Sequence, residues 1–179
     1  DSLISVMESV GMRALYDDTP PTRIGNDHGL SAPFSTYATK DGDVVIAITT
    51  NRLFGRLAES LGMPELAEDH RFAEPVDRSE NRAALRELIE EALSTKTRSE
   101  TIALFEEHGV PTARVYDLDE ALRSPFAEER GVVVEETDGF RTLASPLKLA
   151  GMAPPTPAPE LGQDNERIQS WLSEDPRTS

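Results

Sequence analysis

Residues Ser31 to Leu61 read SAPFSTYATKDGDVVIAITTNRLFGRLAESL. Phe34 to Thr39 is rich in aromatic and hydroxyl residues and Val44 to Thr49 is β-branched. Between them Asp41-Gly42 supplies the residue types that accept positive φ, so the spacing predicts a β-hairpin. Leu53, Phe54, Leu57 and Leu61 then recur at helical spacing. One apolar face can lie on the sheet while Arg52, Arg56 and Glu59 stay in water. A ββα unit of this kind carries no chemistry by itself, and the search for function moves outward from it.

Upstream, Leu3, Val6, Met7, Val10 and Leu15 follow a helical period, and residues 1–17 are expected to form a helix already under way at Asp1. Asp17 to Pro33 carries Asp-Asp, Pro20-Pro21, Gly25-Asn26 and Gly29, which predicts an irregular loop. Long loops in compact domains are often lids or binding segments, and His28 is the one titratable residue there whose setting fits a site.

Downstream, Asp77 to Lys96 has the strongest helical pattern, with Asp77 and Glu80 at capping-box spacing and Leu85, Leu88, Ile89, Ala92 and Leu93 on one face. Thr97 with Glu100 repeats the device for a helix ending near His108, with Gly109 as its C′ residue. An extended piece near Ala113 to Val115 and a helical Leu118 to Arg123 follow. Val132 to Glu135, Asp138-Gly139 and Phe140 to Leu143 predict a second hairpin, expected in one antiparallel sheet with the first, under the helices starting near Asn51 and Asp77. APPTPAPE is a polyproline-like connector, and Ile168, Trp171 and Leu172 open another amphipathic helix. The expected organisation is a lead-in helix at 1–17, a small α+β domain at 18–151, and a Pro-rich return linker with the start of a helix at 152–179.

With 18 basic against 33 acidic residues the formal charge is -15, which disfavours nucleic acid and anionic lipid as partners. The absence of cysteine removes thiolate chemistry and Cys-based metal sites, and His28, His70 and His108 have no i,i+4 pairing, so no metal is expected. No apolar run approaches the ~20 residues that span a bilayer, and a cytoplasmic protein is expected. Glu90-Glu91, Glu106-Glu107 and Glu135-Glu136 read as solvated faces, because i,i+1 neighbours on a helix diverge.

Several segments together resemble the class III coenzyme A transferase (CaiB/BaiF) family. They are RIGNDHGLSAPFSTYATKDGDVVIAI, NRLFGRLAESLGMPELAEDHRF, Arg78 with Asn81-Arg82, HGVPTARVYDLDEALRSP, ASPLKLAG and PAPELGQD, in that order. The resemblance implies a two-domain enzyme with a Rossmann-like large domain built from both chain ends and a smaller α+β domain inserted between them. This chain resembles the smaller domain. It also implies interlocked homodimeric subunits and a large-domain aspartate, upstream of Asp1, that attacks an acyl-CoA thioester through an anhydride and passes CoA to a carboxylic acid. No catalytic residue then lies within these residues, and the polypeptide alone is expected to be inactive.

Some members carry a glycine-rich lid between the counterparts of Gly25-Asn26 and Pro33. Here Gly25, Asn26, His28, Gly29, Leu30 and Ser31 form the matching substrate or lid loop, and between Asn26 and Pro33 only Gly29 is glycine. The implied acid therefore differs from the small diacids of the glycine-rich branch. Residues 18–32 are expected to be weakly anchored, since their docking surface would be the large domain. The racemase branch has an acidic base just after the second strand, where this chain has Thr50, which favours transfer over epimerisation of a 2-methylacyl-CoA. A non-catalytic acidic interaction module is the remaining alternative.

Overall fold

A computed structural model describes residues 2–16, 21–135, 139–147 and 158–174. The chain divides into two compact units, Asp1–Val115 and Tyr116–Ser179. The boundaries expected near residues 17 and 151 lie outside the described residues, as does most of the proline-rich connector.

In the first unit β1 (Phe34–Thr39) and β2 (Gly42–Ala47) pair antiparallel, with Phe34 opposite Ala47 and Thr39 opposite Gly42. The hairpin is where the sequence puts it, but its two-residue turn is Lys40-Asp41, and Gly42, at φ 140, opens β2. Alternation divides β2: Val44 and Ile46 are fully buried, while Asp43 and Val45 are less so. The extended piece after Pro111 becomes β3 (Thr112–Arg114), antiparallel to β2, giving the sheet order β1-β2-β3.

Helices cover this sheet. α3 (Asn51–Ser60) buries Phe54 and Leu57 in the predicted register. The run expected from Asp77 to Lys96 is two helices, α4 (Pro75–Glu80) and α5 (Arg82–Leu93), broken at Asn81. The expected Asp77 cap is replaced by Glu74 at the N-cap with Pro75 at the first helical position, where a missing N–H costs nothing. α5 buries Leu85, Ile89 and Leu93 against β1, and at ~1.5–3 kcal/mol per buried aliphatic side chain this face is a principal source of the unit's stability. α6 (Arg98–Glu107) has the predicted capping box of Thr97 and Glu100 and buries Phe105. It ends in a Schellman motif: Val110 N–H reaches the Phe105 carbonyl at 2.8 Å and Gly109 N–H the Glu106 carbonyl at 3.0 Å, with Gly109 at φ 63.

The N-terminal helix is interrupted at Val6-Met7, giving α1 (Ser2–Ser5) and α2 (Glu8–Tyr16). Val6, Met7, Val10 and Leu15, the apolar side chains that predicted it, are exposed.

In the second unit α7 (Leu118–Leu122) and α8 (Pro125–Glu129) precede a separate two-stranded sheet of β4 (Val133–Glu135) and β5 (Arg141–Leu143). The expectation of one sheet joining both hairpins is therefore wrong. β2 spends its second edge on β3, from the segment that follows Gly109, and among the described residues β4 and β5 pair with each other. α7 ends at Leu122 as expected, and Pro125 opens α8 behind a Ser124 N-cap. Gly139 has φ 84, in keeping with a turn, while Asp138 lies outside the described residues. α9 (Asn165–Glu174) forms with Ile168, Trp171 and Leu172 exposed.

Candidate functional site

The breaker-rich loop ahead of β1 is tied to the first unit's own sheet and helices. A turn closes from Asp27 N–H to the Ile24 carbonyl around Gly25, whose φ of 67 is a left-handed conformation that glycine adopts without strain. His28 N–H donates to the Phe34 carbonyl at 2.8 Å, and the His28 ring stacks on Phe34 at 4.8 Å. Its Nδ1 accepts from Leu30 N–H at 3.2 Å. Asn26 donates to Thr36 Oγ1. Within this loop Asn26, Asp27, His28 and Ala32 have hydrogen-bond partners on β1, α4 and α5.

Arg82, Arg86 and Glu90 lie one turn apart on α5, on the side facing that loop. Arg86 Nη2 meets Asp27 Oδ1 at 2.7 Å and Ser35 Oγ at 2.9 Å, its Nη1 reaches the Thr36 carbonyl at 2.7 Å and Glu90 at 3.1 Å, and its guanidinium lies 4.7 Å over the Tyr37 ring. Burial works against the charged form of Asp27, but hydrogen bonds from Ser35 and Arg86 and the charges of Arg86 and Arg82 outweigh it and hold the carboxyl below its ordinary range. Burial, opposed by Arg86, pushes the Tyr37 phenol up, so Tyr37 is a neutral ring beneath the cation.

At the end of the loop Arg78, 1 % exposed, is a buried strut. Nε donates to the Ala32 carbonyl at 3.0 Å, Nη1 to Phe72 and Ala73, and Nη2 to Asn51 Oδ1, with Phe54 beneath at 4.6 Å. Burial draws its pKa down from the ordinary arginine value, against the pull of Glu74 and Asp77.

These elements border a cleft of about 730 Å³ lined by Val10, Arg13, Pro21, Thr22, Ile24, Asp27, His28, Gly29, Leu30 and Arg82. The guanidinium of Arg13 passes over Gly29, within 3.8 Å of where a Cβ would stand. Of the residues singled out from sequence, the cleft brings together His28, Gly29 and Leu30. Gly25, Asn26 and Ser31 shape the loop without lining it. Thr50 is the N-cap of α3, its hydroxyl accepting Leu53 N–H at 3.3 Å, and it does not line this cleft. Arg13, Asp27, Arg82 and Arg86 escaped the sequence reading as site residues. The available signal is the i,i+4 run Arg82-Arg86-Glu90, which borders the Leu85-Ile89 face at i,i+3 spacing. Among the described residues no three His, Asp or Glu side chains gather as a metal would require, and no helix is long and apolar enough to cross a membrane.

The family described as CoA-transferase family III matches residues 1–165. An acetyl-CoA:oxalate CoA-transferase of Acetobacter aceti is 34% identical over 139 residues, covering 78% of this chain and 36% of that protein. A succinyl-CoA--D-citramalate CoA-transferase of Chloroflexus aurantiacus is 31% identical over 180 residues, covering 94% of this chain and 44% of that one. The crystal structure of a CAIB/BAIF family protein from Brucella suis superposes with a TM-score of 0.79 at 30% identity, over 94% of this chain and 45% of the other. The chain thus spans less than half the length of these relatives. The fold is shared with a CaiB/BaiF family protein over most of this chain's length, and the chain belongs to CoA-transferase family III.

Proposed function

We propose that this chain is the small α+β domain of an enzyme that moves CoA between an acyl-CoA and a free carboxylic acid, and that residues 25–33 form the wall closing over the acid. The observation that carries the reading is the cleft itself, where the loop residues His28, Gly29 and Leu30 stand beside Arg13 and Arg82. Guanidinium groups recognise carboxylates by paired N–H donors. Relatives named for transfer to oxalate and D-citramalate act on acids of this kind.

In this reading the nucleophile is an aspartate of the large domain, outside these residues. Its carboxylate attacks the thioester carbonyl, CoA leaves as thiolate, and the mixed anhydride is activated enough to exchange acyl and CoA partners without a metal. The small domain contributes exclusion of water and orientation of the acid. Transfer is favoured over epimerisation because Thr50 carries no group basic enough to remove an α-proton, and its hydroxyl is engaged in capping α3. A homodimeric, cytoplasmic enzyme with an inactive isolated small domain completes the proposal.

The test is to incubate the full-length enzyme and the 179-residue chain separately with a labelled acyl-CoA and a panel of acids in deuterated solvent. CoA exchange by the full-length enzyme alone is the expected result. α-Deuteration without CoA exchange moves the assignment to the racemase branch, and turnover by the chain alone refutes its inactivity.

A further inference from the structure

The sheet order β1-β2-β3 leaves β1 at an edge, yet the main chain on its outer side is engaged without a neighbouring strand. Across the hairpin Ile48 N–H donates to the Pro33 carbonyl at 2.9 Å, and Thr39 stands opposite Gly42. At a period of two the odd-numbered residues of β1 therefore bond to β2, and Phe34, Thr36 and Ala38 turn their main-chain groups outward. The Phe34 carbonyl accepts His28 N–H at 2.8 Å, the Thr36 carbonyl accepts from Arg86 Nη1 at 2.7 Å, and Ala38 N–H donates to Glu90 Oε1 at 3.3 Å. Just past the strand, Lys40 N–H donates to the Lys96 carbonyl at 2.8 Å.

Arg86 and Glu90 stand i,i+4 on α5, about 6 Å apart along the helix axis, and Thr36 and Ala38 stand i,i+2 on β1, about 6.8 Å apart. The spacings match. One side chain donates where a neighbouring strand would place an N–H, and the other accepts where it would place a carbonyl. An ion pair at 3.1 Å joins the two, and Asp27 and Ser35 hold the second nitrogen of Arg86. The edge they cover is a hazardous one. Phe34–Thr39 reads FSTYAT, six residues without charge, proline or glycine in a chain of formal charge -15, which is the composition of a segment that pairs with copies of itself.

We propose that Arg86 and Glu90 serve as a surrogate fourth strand that closes the β1 edge, and that the partner they exclude is β1 of a second copy of this chain, laid antiparallel alongside. Charged side chains turned onto an edge strand in this way leave an incoming strand no free donor or acceptor at Thr36 and Ala38 to pair with.

The experiment uses the full-length enzyme, with E90A, R86A/E90A and R86A/E90A/A38K beside the unmodified protein. Hydrogen exchange at Ala38 is followed by mass spectrometry, and the state of assembly by sedimentation over a wide range of concentration. E90A, which leaves Arg86 on Asp27 and Thr36, should speed exchange of Ala38 N–H ~5–10-fold while Val44 to Ala47 stay protected. R86A/E90A should form species larger than the unmodified enzyme as concentration rises. Adding A38K should remove them, because a lysine on an edge strand opposes pairing. Ala38 is exposed, and a positive charge on so acidic a chain lowers the general repulsion between copies, so a reversal by A38K belongs to the β1 edge alone. Unchanged exchange at Ala38 in E90A overturns the surrogate strand whether or not the double variant folds. A double variant no larger than the unmodified enzyme at any concentration overturns the exclusion of a second copy. Larger species that persist with A38K overturn it as well, since they then arise from an unfolded chain and not from the β1 edge.

Discussion

The Nε of Arg78 donates to the carbonyl of Ala32 at 3.0 Å from a side chain 1 % exposed, fastening the last residue before Pro33 to a helix 46 positions away in sequence. The same guanidinium serves the carbonyls of Phe72 and Ala73 and the side chain of Asn51. One cation thus holds the end of the loop ahead of β1, the segment before α4 and the start of α3 together. Its partners are neutral oxygens, with the contacts to Ala32 and Phe72 buried and those to Ala73 and Asn51 partly buried.

Arg78→Met should therefore destabilise the first unit by about 3–5 kcal/mol, since an unpaired buried carbonyl costs ~1–3 kcal/mol and the methionine restores only packing. Arg78→Lys should recover less than half of that loss, because an ammonium cannot reach three directions as a planar fork does. Urea denaturation of both variants tests this; a lysine variant as stable as the parent would show that charge, and not geometry, is what matters.

Thr101 makes the opposite case. It is fully buried in α6, and its hydroxyl finds no hydrogen-bond partner among the described residues. Thr101→Val keeps the shape and removes the unserved hydroxyl, so a gain of about 1 kcal/mol is expected, a rise of roughly 4 °C in Tm for a unit of this size. A fall in Tm would reveal a partner for that oxygen.

What was legible in the sequence followed periods and caps. Val44, Ile46, Leu85, Ile89 and Phe105 are buried where their spacing puts them, and Thr97-Glu100 and Gly109 delimit α6 as their residue types require. What was not legible depended on partners distant in sequence. The pairing of Thr112–Arg114 with β2 needs knowledge of where α6 returns the chain, and the break at Asn81 falls among Asp77 to Arg82, where no apolar residue marks the helical face. The cleft was half visible: the loop announced itself by its glycines and His28, but Arg82 and Arg86 look like ordinary solvated positions until the loop is folded against them.

The Asp27–Arg86 pair should give the unit a specific acid sensitivity. Because the folded-state pKa of Asp27 lies below its ordinary 3.8, the stability it contributes is complete above about pH 5 and is lost as the pH falls through 3.8 towards the folded value. Asp27→Asn cannot make this transition. The stability difference between the two proteins should be constant from about pH 7 to 5 and shrink below about pH 4. An undiminished difference at about pH 3 would show that the carboxylate's charge is not what holds the loop.

His28 positions the loop by two contacts, its ring stacked 4.8 Å from Phe34 and its Nδ1 accepting Leu30 N–H at 3.2 Å. Both contacts are local and the side chain is exposed, so His28→Ala should lower Tm by no more than about 4 °C, the loss of one solvated hydrogen bond and one ring pair. The loop itself should feel the change more. Removing the acceptor frees Leu30 N–H, and its exchange with solvent should accelerate ~5–10-fold, whereas amides of Val44 to Ala47 in β2 should be unaffected. In the full-length enzyme the same variant should raise KM for the acid by about 5-fold, because a wall that must be ordered on binding weakens affinity by the cost of ordering it. His28→Asn distinguishes the two contacts. Its side-chain oxygen can accept from the N–H two residues on, as asparagine does in turns, but it cannot stack, so it should restore slow exchange at Leu30 and only part of the KM. Unchanged exchange at Leu30 in His28→Ala, or a KM that rises equally in both variants, would mean that the imidazole acts on the acid directly and not through the shape of the loop.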